Sequence, residues 1–364
     1  MILLKIHAYS VALFLAFPLL LLAQGGGSKY PNGLYAEVTT NKGLIVLQLE
    51  FQKTPMTAAN FVGLAEGTIK NTALPEGTPY FNGTRFHRVV PGHVIQTGIP
   101  ANGKTQGPGY QFPNEIRLPD LNHNRAGMLN MANSGPHTNG SQWCIMLGDR
   151  SYLNGDYTVF GHVVQGLDVV FAVVQGDEVQ SVKIVRVGAA AERFRPTTDS
   201  FQKMVAAARA RVQQADAKKK AEEERMIRRS WPKATVMANG VKFVVVREGR
   251  GEIPAAGTRV QVSYSGRYLK GLSFVSTADG GKPYFGDQPE PFEFEVGKAV
   301  VNRGLDAAIA QMKRGEKRIV IVPPGQAYGT GGYYDREKPG QKRFHISPNM
   351  TLVYEVEIHE IPSR

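Results

Sequence analysis

The chain has 364 residues, 42% of them hydrophobic and 20% charged, with a formal net charge of +12. That length and balance suit two or three globular domains with buried cores and exclude a disordered or collagen-like chain. Its 40 Gly and 22 Pro point to many turns and strand-rich structure, and a single cysteine, Cys144, excludes an internal disulfide.

Val11–Ala23 (VALFLAFPLLLLA) is a 13-residue apolar run behind a lone Lys5. It is too short and too Pro-broken for a membrane span, and residues 1–23 read as a secretory signal. This predicts an exported protein of a periplasm, cell envelope or secreted space, with no stable membrane insertion after cleavage.

Residues 34–188 alternate short apolar strands with Gly, Pro and Asn turns: GLIVLQLE, TRFHRVV, SQWCIML, YTVFGHVV and SVKIVRV. Thr54-Pro55 introduces one helix at Thr57–Glu66. So much strand implies a closed sheet, because open edges invite aggregation. Cys144 sits in an apolar strand and reads as a buried small hydrophobe.

Within this unit, Phe86–Gly98 (FHRVVPGHVIQTG) mixes His87, Arg88, His93 and Gln96 with apolar residues. A Pro-Gly turn separates the two histidines, and no carboxylate or cysteine stands in ligand spacing, which argues against a metal. No nucleophile elbow or Ser-His-Asp order is present either. His87 reads as a strand residue.

Residues 189–233 hold twelve Lys and Arg against six Asp and Glu, half of the net charge. Both signs are mixed without aromatic interleaving, as on a solvated helix, which argues against nucleic acid and leaves an acidic surface as the alternative. Thr198 or Asp199 is placed to cap a helix running from Ser200 to about Arg229. Phe201, Met204, Val205, Ala208, Val212 and Ala215 form a helical seam that fades beyond Lys218. That seam docks on its own domain, on the next one, or on a second copy as a homodimer; the rest reads as a spacer.

Residues 241–364 form a second strand-rich unit: VKFVVVREG, TRVQVSYSGRYL, PFEFEVG, KRIVIVPP and TLVYEVEIHEI, with one helix at Gly304–Met312. No repeat relates the two units.

Tyr35–Gly67, FHRVVPGHVIQTG, Met131–Gln142 (MANSGPHTNGSQ) and Val159-Phe160-Gly161 occur in order, and together residues 34–188 resemble a cyclophilin. The resemblance implies a closed eight-stranded β-barrel that isomerises X-Pro peptide bonds. It makes Arg88 the catalytic cation, Gln96 its orienting partner and Asn133 the chief hydrogen-bonder to substrate, flanked by Ala132 and Ser134. His93, Val94, Gln142, Cys144, Tyr152, Leu153 and Tyr157 take the remaining wall positions. His93, Val94 and Cys144 stand where the family has Phe, Met and Phe, Tyr152 replaces a Trp and Tyr157 a His, implying a wider, more polar pocket.

In the second unit, Val262–Phe274, Pro291–Leu305, Ala310–Gly329 and Ile346–Ile358 resemble the FK506-binding (FKBP-type) isomerases. That implies an α+β antiparallel half-barrel wrapped on a short helix, making the protein mainly β with a helical linker between two isomerase units. Its aromatic bowl would comprise Tyr264, Phe274, Val275, Phe292, Val301, Asn302, Leu305, Tyr328, Ile346 and Tyr354. Asn302 would offer a backbone N–H, and Tyr328 a phenol to the substrate carbonyl. Val275 stands in place of a pocket Asp and Leu305 in place of a Trp. The loops Ser276–Pro289 and Thr330–His345 are long, and the second reads as a client-contact surface. No cofactor or metal is needed, and the expected partners are proline-containing unfolded or nascent exported proteins. The alternative is a non-catalytic chaperone or assembly module that binds peptide in the same bowls.

Overall fold

A computed structural model describes residues 29–102, 104–116, 119–276, 292–300, 302–333 and 346–361; the apolar run Val11–Ala23 lies outside them. Strands β1 (Gly33–Thr40) and β2 (Gly43–Leu49) pair antiparallel with Leu34 opposite Leu49 and Val38 opposite Ile45. Leu34, Ala36, Val38, Ile45, Leu47 and Leu49 therefore share one face and enter one core. Pro55 opens α1 (Pro55–Glu66), where its missing N–H costs nothing, two residues ahead of the predicted start. Gly67 ends it with φ 72, and a Cβ there would lie 2.6 Å from the Gly77 carbonyl carbon, so only glycine fits.

Six short strands follow: β3 (Thr84–Arg85), β4 (Arg88–Val90), β5 (Val94–Thr97), β6 (Met128–Met131), β7 (Trp143–Met146) and β8 (Val159–Gln165). After α2 (Leu167–Ala172), β9 (Glu178–Val187) completes a nine-stranded sheet in the order β3-β9-β1-β2-β8-β6-β7-β5-β4. TRFHRVV, expected as one strand, is two, and His87 stands in the joint between them rather than in a strand. Phe86 turns inward there, tied by its N–H to the Asp177 oxygen at 2.8 Å. The edge strands β3 and β4 are thus consecutive in the chain, so the sheet curls, and the Thr97 hydroxyl on β5 donates to the Arg85 oxygen at 2.9 Å. The expected eight strands are nine in one antiparallel path, with no ladder joining β3 to β4 among the described residues.

Beyond a short turn, α3 (Ala189–Glu192), α4 runs Thr198–Ser230. Its cap is Thr197, ahead of both expected residues: Thr197 Oγ1 accepts from Ser200 N at 3.2 Å, and Ser200 Oγ accepts from Thr197 N at 2.9 Å. The seam docks on the helix's own domain. Phe201 packs on Tyr110 and Phe112 at 5.5 and 5.7 Å, and Met204, Val205 and Ala208 follow it against the first core. The far end is not a free spacer. Ile227 is buried with Leu269, Ile321 and Val353, and Lys242 Nζ meets Glu224 at 2.7 Å.

The second sheet starts at β10 (Thr235–Val236), ahead of the expected boundary, and continues with β11 (Lys242–Arg247), β12 (Arg259–Tyr268), β13 (Ser273–Ser276) and β14 (Phe292–Glu295). α5 (Arg303–Ile309), β15 (Lys317–Val322) and β16 (Leu352–Glu360) complete it, in the order β10-β11-β15-β16-β12-β13 with β14 beside β12. Leu305, Ala308 and Ile309 press one face of α5 into Val320, Val322 and Val356, an antiparallel sheet curled on one helix.

Candidate functional site

The alternation that feeds the first core also builds a second face. Ile95, Trp143 and Ile145 point into the core, whereas Val94, Cys144 and Met146 gather in a separate outer cluster. Register places Arg88 opposite Gln96, Gln96 opposite Cys144, and Val94 opposite Met146. Arg88 on β4 is exposed, and its Nη1 donates to Gln96 Oε1 at 3.4 Å. Gln96 Nε2 donates to Gln142 Oε1 at 2.8 Å, and Gln142 Nε2 to the Gln106 oxygen at 2.8 Å. Each amide thus turns its oxygen back toward Arg88, a direction imposed at the Gln106 carbonyl.

Beside this polar line lies the apolar wall. Val94, Cys144 and Leu153 are buried, with Ala132, Tyr152 and Tyr157 packed against them, so six of the expected wall residues meet. Met128, Met146 and Val159 belong to the same patch and were not expected. Alternation in β6, β7 and β8 points to them, because each lies out of phase with a core neighbour: Leu129, Ile145 and Phe160. Burial pushes the Cys144 thiol up to about 12, with Arg88 opposing it, so the thiol stays protonated. His93 turns to the rim: its Nδ1 accepts from Arg150 Nε at 2.8 Å, and its ring stacks 6.4 Å from Tyr152. Arg150, which also donates to the Gly92 oxygen, had no recognisable sequence signal because it lies 57 residues from His93.

A cleft of about 700 Å³ continues from Gln96 and Gln142 past Ala132, Asn133 and Ser134. The Asn133 side chain is occupied internally, donating to the Asp156 oxygen at 3.0 Å and accepting from Gly135 N at 3.2 Å. Among the described residues no partner is recorded for its backbone N–H and C=O, which leaves the backbone as its hydrogen-bonding capacity toward a ligand. Ala132 N donates to the Gln142 oxygen at 3.0 Å, and Ser134 N to Thr138 Oγ1 at 2.9 Å, so these two frame the cleft rather than present free N–H groups.

Burial is the first cause holding His87, His123 and His162 below the ordinary 6.5, and with the Arg150 and Arg88 charges it takes His93 down to about 4. The unfolded chain binds protons first as pH falls below 6.5, so the stability of the first domain is flat above that value and declines through the window toward pH 4. Urea midpoints, followed by hydrogen exchange in β5 and β7, are expected to agree at pH 7 and 8 and to drop at pH 5. A midpoint at pH 5 equal to that at pH 7 would refute this assignment.

In the second sheet, Tyr264, Leu305, Ile346 and Tyr354 join one core cluster, with Phe274 and Tyr328 half-buried at its border. Tyr354 meets Tyr264 at 6.2 Å and Phe274 at 5.8 Å, and burial raises its phenol well above 10.0. Asn302, in left-handed backbone at φ 53, donates through Nδ2 to Tyr354 Oη at 2.9 Å. Its backbone N–H is not free as expected, because it donates to the Ala327 oxygen at 3.3 Å. Val301 and the side chains of Val275 and Phe292 lie outside the described residues, as does most of both long loops.

A family model described as cyclophilin type peptidyl-prolyl cis-trans isomerase matches residues 35–189, and one described as FKBP-type peptidyl-prolyl cis-trans isomerase matches residues 251–359. Peptidyl-prolyl cis-trans isomerase A of Mycobacterium tuberculosis is 42% identical over 133 residues, 35% of this chain and 72% of that protein. The peptidyl-prolyl cis-trans isomerase of Helicobacter pylori is 39% identical over 150 residues, 41% and 85% of the two chains. The human peptidyl-prolyl cis-trans isomerase-like 1 is 38% identical over 165 residues, 43% and 91%.

Proposed function

Because the chain belongs to the cyclophilin-type peptidyl-prolyl cis-trans isomerases and carries an FKBP-type isomerase domain behind that unit, we propose that Arg88 is the catalytic group and that the protein assists folding of exported proteins. Rotation about an X-Pro bond must break amide resonance, against a barrier of about 18–20 kcal/mol, yet no bond is cut. The reaction needs a donor for the prolyl nitrogen as it loses resonance, and a wall that holds the twisted form. The observation that carries this reading is the Arg88–Gln96–Gln142 line running beside the apolar wall of Val94, Cys144 and Leu153. Groups able to act as base or nucleophile are disarmed around it: His93 is occupied by Arg150, and the Cys144 thiol is protonated.

The second domain is read as a proline-binding module that turns over little on its own. Two observations favour this: Leu305, Ile346 and Tyr354 are packed as core, and the Asn302 N–H is spent on Ala327. A methyl group at Gly135 would lie 3.4 Å from the Thr330 oxygen, so the first cleft borders the loop that carries Tyr328. One unfolded chain held at both places gains effective concentration at the catalytic cleft.

An X-Pro peptide assay tests the assignment. Arg88→Ala is expected to leave turnover near the buffer rate, and Tyr328→Phe added to it to change little. Residual turnover that Tyr328→Phe removes would make the second domain a catalyst, and full turnover in Arg88→Ala would sink the first assignment. The export reading rests on the Val11–Ala23 run, and the proposed clients are proline-containing exported proteins. It predicts the tagged full-length chain in the envelope or secreted fraction, shortened by about 23 residues as the signal pattern implies; cytoplasmic full-length protein would contradict it.

A further inference from the structure

The cleft beside Arg88 has one lining residue that does not come from the first domain. Its lining runs from Gln96 and Gln142 to the Thr105–Gln111 segment and ends at Arg209 of the connecting helix α4. Of all the lining side chains, Arg209 alone is charged. Its Nη2 donates to the Gln111 oxygen at 2.7 Å, and it forms no ion pair among the described residues. The helix is not loosely placed there. Phe201, two turns earlier on the same face, packs on Tyr110, which itself lines the cleft, so one ring fixes both the helix and the cleft wall. An exposed guanidinium with spare donors, held at the end of an otherwise neutral polar groove, matches a carboxylate arriving through that groove.

We propose that Arg209 is a specificity-determining residue for the isomerase reaction, favouring substrates that carry Asp or Glu within a few residues of the prolyl bond and disfavouring Lys or Arg there. The connector helix thereby supplies what the rest of the groove's lining lacks, a charged side chain. This inference rests on the reading of the Arg88 cleft as the substrate site. The effect is moderate because the groove is open to water, where an exposed charge pair is weakened by solvent and salt. Attraction of Glu and repulsion of Lys together give about a tenfold ratio, which falls as salt is raised.

The test uses the full chain and X-Pro peptides with Glu, Gln or Lys at each of the three positions on either side of the Xaa-Pro pair. The reading is the ratio of kcat/KM for Glu over Lys, in which any general loss of activity cancels; turnover remaining in Arg88→Ala is subtracted as the share of the second domain. At one position the wild type is expected to favour Glu about tenfold. Arg209→Gln should bring that ratio near one, Arg209→Glu should invert it, and Arg209→Lys should keep most of it. A wild-type ratio near one at every position overturns the proposal, as does a ratio that Arg209→Gln leaves unchanged. If Arg88→Ala abolishes turnover while the ratio ignores residue 209, only this inference falls. If Arg88→Ala turns over normally, the cleft assignment falls and takes this inference with it.

Discussion

Replacing Arg88 by alanine is expected to lower kcat for an X-Pro peptide about 10²–10³-fold, the loss typical of one preorganised donor aimed at the transition state. KM should barely move, because the planar imide offers its nitrogen no lone pair and the hydrogen bond forms only as resonance breaks. Arg88→Lys restores charge but not the planar fork, and should recover only part of the loss. Gln96→Ala tests positioning. Its Oε1 faces Arg88 at 3.4 Å because its Nε2 is committed to Gln142. Losing it frees the guanidinium to swing, so the drop in kcat should be smaller than for Arg88→Ala, and Gln96→Asn, which is too short to bridge, should not restore it. An equal fall in kcat for a variant of Arg85, three residues before Arg88, exposed on β3 and paired with Glu178, would mean that general charge rather than placement is responsible.

Alternation made most strands legible, and with them much of the site. Ile95 beside Val94 and Gln96, and Trp143 beside Gln142 and Cys144, carry core and cleft on successive residues of one strand. What alternation cannot mark is a break that conserves it. TRFHRVV keeps its pattern through Phe86, yet it becomes two strands because β3 pairs with β9 and β4 with β5, at opposite ends of the strand order. The docking of Ile227 was equally hidden, since Met226 and Ile227 alone among charges show no period until Leu269 and Val353 come to meet them. Asn302 lost its expected N–H to Ala327, a contact made by a loop 25 residues away. Arg209 looked like one more charge on a solvated helix, and only the packing of Phe201 on Tyr110 brings it to the cleft. In each case the missing information is long-range packing, to which local propensity is blind.

The strand that carries core and cleft together also sets the second large effect. Trp143 is fully buried at the meeting point of Phe61, Phe81 and Phe86, with ring centroids at 5.8, 6.3 and 6.2 Å. Trp143→Ala removes these edge contacts and opens a cavity between α1 and the sheet, at a cost of about 3–5 kcal/mol. Its Nε1 has no hydrogen-bond partner among the described residues, so Trp143→Phe loses volume but also an unsatisfied donor, and should cost distinctly less. The damage should stay in the first domain, because the two main cores are separate clusters and multidomain chains commonly depart from two-state unfolding. Trp231, the other tryptophan, packs with the end of α4 on the second sheet and reports that part alone. In Trp143→Ala its fluorescence transition in urea should stay at the wild-type midpoint, while amides of β5 and β7 exchange roughly several hundred-fold faster or more, at tenfold per 1.4 kcal/mol. Catalysis should fall with it, because Gln142 and Cys144 flank Trp143 and move as β7 sinks into the cavity. A Trp231 midpoint that shifts together with β7 exchange would mean that the two cores unfold as one.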